Sequence, residues 1–156
     1  MCEAHSDAHR RACRHRAHPR LADEDWDIEY VLDAGTDTVQ IATANAEVVA
    51  ISRIGYAEAC AGLSRVLREK RTTLAAHRKR MSALNDDYEN LLKVNVTEAV
   101  IRLAGKLAET HALRGFDAVH LASAAWLAKK LRMPVRLLAF DDRLNRAARA
   151  MKMAVS

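Results

Sequence analysis

Three carboxylates stand in sequence that otherwise reads as core. Glu58 lies in Tyr56-Ala57-Glu58-Ala59. Asp117 lies in Leu113-Arg114-Gly115-Phe116-Asp117-Ala118-Val119-His120-Leu121-Ala122-Ser123-Ala124, and Asp141 in Leu137-Leu138-Ala139-Phe140-Asp141-Asp142-Arg143-Leu144. An ionised acid moved into apolar surroundings needs a compensating charge. Two such acids at about 4 Å repel by roughly 4 kcal/mol at an effective dielectric of about 20, so acids that converge call for a cation. Hard oxygen ligands select Mg²⁺ or Mn²⁺ over Zn²⁺. Such an ion can activate water and stabilise charge on a phosphoryl oxygen, which is the equipment for phosphodiester hydrolysis.

The elements that must position these acids follow from periodicity. Thr38–Ala46 reads as the end of a helix and Val48–Ser52 as a short apolar strand. Ile54–Lys70 is predicted helical, with Ile54, Ala57, Leu63, Val66 and Leu67 on one face. A polar helical region runs from about Leu74 to Leu92. Glu98–His111 is a further helix, with Gly115 as the glycine that breaks it. Asp117–Leu131 is the next, stopped before Pro134, and Arg143–Met151 is the last. Val135–Phe140, apolar except for Arg136, fits a buried parallel strand. Alternating strands and helices predict an α/β fold, with the strands Val48–Ser52 and Val135–Phe140 parallel and beside a common acidic pocket. Asp141 would then lie at the carboxyl edge of the sheet, where open α/β sheets bind ligands. Asp117 would open a helix whose dipole favours its ionised form, and Glu58 would sit one turn into the helix after the first strand.

Each residue also has a plainer role. Asp117 alone could be a helix N-cap, and Glu58 a surface acid paired with an Arg. Asp141 could cap the last helix, a role that suits Asp142 better. His120 could be a ligand, although a histidine on an apolar helix face is more often a satisfied core residue. Placed together, the three acids say more than any one of them.

A chain of 156 residues suits one core, half of it hydrophobic by composition and only 4% aromatic. Net charge is +5, which favours a polyanionic partner. Residues 1–20 carry five Arg against Glu3 and Asp7, and residues 21–37 carry seven acids with no Lys or Arg. The rest is basic, including Arg65, Arg68, Lys70, Arg71, Arg78, Lys79 and Arg80 on one helical stretch. That run reads as a solvated face or, alternatively, as a phosphate-tracking surface. Three cysteines without framework spacing (Cys2, Cys13, Cys60) point to a reducing, cytoplasmic compartment. No apolar segment is long enough to span a membrane, and no signal peptide is expected. The expected division is a basic, disordered tail over residues 1–20 and one domain over 21–156. Cys2, His5, His9, Cys13, His15 and His18 offer a soft-metal alternative for the tail, but without a paired C-x-x-C.

Gly35-Thr36-Asp37, Ser52-Arg53-Ile54-Gly55-Tyr56-Ala57-Glu58-Ala59, Leu113 to Ala122 and Ala139-Phe140-Asp141-Asp142-Arg143-Leu144 together resemble a PIN-domain protein of the VapC toxin type, over about residues 30–153. The resemblance implies a central parallel sheet flanked by helices and a metal-dependent endoribonuclease acting on RNA. It also implies a cognate antitoxin and, often, a homodimer. The family's second, third and fourth acids fall on Glu58, Asp117 and Asp141.

One part of the pattern departs from the family. Such proteins begin with a strand ending in Leu-Asp-Thr-Ser-Ala, whose Asp is a principal metal ligand. Here that position falls on Ala22, with Asp23 one place late. Either Asp23 substitutes as a ligand or the set is incomplete. In the second case the chain is a catalytically impaired PIN-like protein that retains partner binding. A shifted or truncated reading of the start, which would have lost the first strand, is a further expectation. A nucleotide-binding module is disfavoured because neither G-x-G-x-x-G nor a Walker sequence is present.

Overall fold

The computed structural model describes residue 44 and residues 46–155. The chain divides into two units, Met1–Ala46 and Glu47–Ser156. The expectations for the tail over 1–20, for Asp23 and for most of the helix over Thr38–Ala46 lie outside the described residues.

In the second unit nine elements succeed one another among the described residues: β1 (Ala50–Ser52), α1 (Arg53–Arg68), α2 (Leu74–Asn90), β2 (Leu92–Val94), α3 (Glu98–His111), α4 (Gly115–Leu131), β3 (Arg136–Leu137), α5 (Asp142–Ala150) and β4 (Ala154–Val155). Parallel strands cannot be joined by a tight turn and need a crossover. The α1–α2 hairpin carries the chain from β1 to β2, which pair in parallel with Ala50 opposite Leu92 and Ser52 opposite Val94. Helix α5 does the same between β3 and β4, with Arg136 opposite Ala154. The fold is α/β.

One expectation changes here. β1 and the strand over 135–140 belong, among the described residues, to two separate parallel pairs, β1 with β2 and β3 with β4. Each takes a partner, three or two residues long, that periodicity does not reveal. The strand expected over Val135–Phe140 shrinks to Arg136–Leu137. Beyond it the Ala139 carbonyl accepts from Asn145 Nδ2 at 2.8 Å rather than from a neighbouring strand, and Phe140 is exposed.

Local chemistry sets the helix ends. Thr97 caps α3, its side chain accepting from Val100 N, and Thr73 caps α2 by accepting from Ala76 N at 3.1 Å. Helix α3 ends on Ala112 in the left-handed region (φ 51°), with the Leu113 N–H returning to the Ala108 carbonyl. Gly115 is therefore not its breaker but the first residue of α4. The basic run is likewise not one helix. A turn after Arg68, with Lys70 at φ 58°, separates the end of α1 from α2. Arg65 bonds Glu69 at 2.7 Å and holds that carboxyl below its ordinary 4.5, and Arg80 bonds Thr72. Exposed pairs of this kind contribute little stability.

The core lies between α3, α4 and α5. Val100, Ala104 and Leu107 of α3 meet Ala118, Val119, Leu121 and Ala122 of α4, with Leu144, Ala147 and Ala148 of α5 closing the cluster. Helix α4 is apolar on most sides, as a helix packed on several faces must be, and it touches β1, β3, α3 and α5. Among the described residues no helix is long and apolar enough to cross a membrane.

Candidate active site

Glu58 projects from the second turn of α1 and His120 from the second turn of α4. His120 Nε2 donates to Glu58 Oε2 at 2.5 Å, with both side chains partly exposed (26% and 38%). This bond joins residues 62 positions apart. His120 and Asp117 are three apart on α4 and share a face, so the bond sets Glu58 on the side of α4 that carries Asp117. His120 is thus satisfied, by one of the candidate acids, and is partly exposed rather than the core residue of its plainer reading.

Two further contacts hold the helices in this relation. Ser123 Oγ donates to Ser52 Oγ at 3.2 Å, and both residues are buried, which ties the end of β1 to α4. Gly55 gives the start of α1 its close approach, since a Cβ there would lie 2.9 Å from Ile51 Cγ1 and 3.4 Å from His120 Cε1. Overpacking of this kind costs about 1–3 kcal/mol. Gly55→Val is expected to lower stability by about that amount in urea unfolding. Gly62→Ala, where a Cβ meets nothing within 4 Å, should raise it by about 0.5–1 kcal/mol.

Asp117 is not the cap of α4. Arg114 holds that position without a side-chain bond, and Asp117 lies in the first turn. Its carboxylate is half-buried and has no hydrogen bond or ion pair with any described residue. Asp141, rather than Asp142, caps α5, its Oδ1 accepting from Leu144 N at 2.8 Å. Arg143 Nη1 donates to the Ala112 carbonyl at 3.0 Å, which fastens the first turn of α5 to the turn that leads into α4. Asp141 follows β3 and Glu58 follows β1, each beyond the carboxyl end of its strand.

By donor type the three acids suit a hard divalent cation. Glu58 keeps Oε1 outside its bond to His120, Asp141 keeps Oδ2 outside its cap, and Asp117 keeps both oxygens. Oxygen donors of this kind suit Mg²⁺ or Mn²⁺. Among the described residues no three His, Cys, Asp or Glu groups stand close enough together to hold a metal ion, so the expected common pocket of Glu58, Asp117 and Asp141 is not closed by these residues, and Asp23 lies outside them.

Away from these acids, Tyr56 and Tyr88 stack with centroids 4.5 Å apart, and Tyr56 Oη donates to Asn85 Oδ1 at 2.9 Å. Lys93 Nζ sits 5.0 Å over the Tyr88 ring. The neighbouring Cys60 thiol pushes the Tyr56 hydroxyl above its usual 10.0. Ser52, Gly55 and Ser123 are site residues that sequence reasoning misses. The available signal is a serine inside the apolar run of α4 and a glycine early in a helix.

A family model described as PIN domain matches residues 30–150, most of the chain and all three acids. The chain belongs to the PIN-domain family. Two relatives of this PIN domain come from Mycobacterium tuberculosis: Ribonuclease VapC45 of strain CDC 1551 / Oshkosh and Ribonuclease VapC49 of strain ATCC 25618 / H37Rv. Each is 40% identical over 73 residues, which covers 47% of this chain and 51% of the relative. The chain thus spans about half the length of the curated relatives it matches. Those matches support the VapC-type resemblance drawn from Gly35-Thr36-Asp37 and the segments around Glu58, Asp117 and Asp141.

Proposed function

We propose that this PIN domain is a divalent-cation-dependent endoribonuclease, the toxin of a toxin–antitoxin pair, working in the cytoplasm as a homodimer and neutralised by a cognate antitoxin. The observation that carries this reading is Asp117. It is a half-buried acid without a partner among the described residues, in the first turn of α4 and on the face that His120 ties to Glu58. The PIN match and the likeness to two VapC ribonucleases support RNA as the substrate.

Glu58, Asp117 and Asp141 would hold Mg²⁺ or Mn²⁺, with Asp23 offered as a fourth acid. The cation, when bound, polarises a phosphoryl oxygen and lowers the pKa of water. The chain's own residues do the positioning. His120 fixes Glu58, the Arg143 bond to Ala112 fixes the turn between α3 and α4, and the dipole of α4 favours the ionised Asp117.

A cation that binds only the folded protein stabilises it by mass action, about 2.7 kcal/mol at about 100 times its dissociation constant. Mn²⁺ or Mg²⁺ is therefore expected to raise the melting temperature, and Asp117→Asn to remove the gain. A folded protein whose melting temperature ignores both ions would sink the proposal.

A second reading has its own observation, since Ala22 stands where the resemblance requires an Asp. On that reading the domain is catalytically impaired and retains partner binding.

A further inference from the structure

We infer that His120 is a positioning residue for Glu58: its Nε2–H occupies Oε2 and leaves Oε1 as the ligating oxygen. The inference rests on the metal-dependent reading above. Four features carry it. The bond joins α1 to α4 at 2.5 Å, so it is a tertiary contact and not a local helix pair. His120 sits one turn from Asp117 on the same face of α4, so the carboxylate it holds lies on the side of α4 that also carries Asp117. Gly55 keeps its place against the imidazole, where a Cβ would stand 3.4 Å from Cε1, so the start of α1 leaves room for this ring. The Ser52–Ser123 bond lies one turn further along α4 and holds the same pair of segments, β1–α1 and α4, from inside the core.

Glu58 is partly exposed. Without the imidazole its carboxylate is free to turn through several rotamers, and only some of them keep an oxygen toward the face of α4 that carries Asp117. Hydrogen-bond partners that orient a ligand typically change metal affinity by about 10–100-fold when they are lost.

The test is a Mn²⁺ titration of the full chain by calorimetry at one fixed pH, alongside the melting temperature without metal. His120→Leu is expected to bind Mn²⁺ about 10–100-fold more weakly while still melting cooperatively without metal. His120→Gln, whose amide nitrogen reaches about as far as Nε2, is expected to bind close to the unsubstituted protein. His120→Asn, one bond shorter, should resemble His120→Leu. If His120→Leu does not fold, the contrast between Gln and Asn decides. Unchanged or tighter Mn²⁺ binding in folded His120→Leu overturns the inference, as does equal binding by the Gln and Asn variants. Failure of the unsubstituted chain to bind Mn²⁺ would instead overturn the metal-dependent reading itself, so the two failures can be told apart.

Discussion

At saturating Mn²⁺, Asp117→Asn is expected to cleave RNA at least about a hundredfold more slowly than the unsubstituted chain. The scale is set from below, because losing a group that merely supports a metal ligand already costs about 10–100-fold. An acid offered directly to the cation should cost more. Asp117 has no other described bond to lose, so the substitution should leave the melting temperature without metal nearly unchanged. Asp23→Asn divides the two functional readings. If Asp23 replaces the acid absent at Ala22, its loss is as damaging as that of Asp117. If cleavage is already weak and Asp23→Asn leaves it alone, restoring an Asp at position 22 within Leu-Asp-Thr-Ser-Ala should recover activity. A one-residue offset on a strand turns a side chain to the other face. Vigorous cleavage that survives both Asp117→Asn and Asp23→Asn would dispose of the carboxylate mechanism.

The largest effect on stability is expected at Leu121. Its side chain is fully buried in the cluster shared by α3, α4 and α5, and truncating a buried Leu to Ala costs about 2–5 kcal/mol through lost transfer energy and the cavity left behind. Leu121→Ala should lower the urea midpoint without changing the m-value. Leu131→Ala is the control. Leu131 is the last residue of α4 and is exposed, so its truncation should stay within about 0.5 kcal/mol. Equal losses at both positions would mean that the core has been misplaced.

The long helices were legible because their signals are local. Glu98–His111 is the helix its periodicity predicts, to the residue, and α1, α2, α4 and α5 fall within about two residues of expectation. The strands were less legible. Leu92–Val94 is three residues between two helical patterns and Ala154–Val155 is two, too few for a period-2 pattern to show. The apolar run at 135–140 promised more strand than its backbone delivers, because the side chain of Asn145 takes the Ala139 carbonyl. The candidate acids were readable as acids in apolar sequence, and their links were not. No local pattern announces that His120 will meet Glu58 across 62 positions, or that Ser52 will meet Ser123 across 71. The cap of α5 shows the same limit. Asp141 and Asp142 are chemically alike, and only the backbone direction decides that Asp141 receives the Leu144 N–H.

Helix α4 touches both strand pairs as well as α3 and α5, whereas α2 fully buries none of its residues. A segment's opening free energy follows the contacts it must surrender. Helix α4 cannot lift away without exposing both parallel pairs and the core between them, so its amides open only near the cost of unfolding the whole unit. Helix α2 can open far below that cost. Asp117 and His120 therefore ride on the segment that opens last, whereas Glu58 stands on α1, whose hairpin partner α2 opens more readily, so the His120–Glu58 bond joins segments of unequal stability.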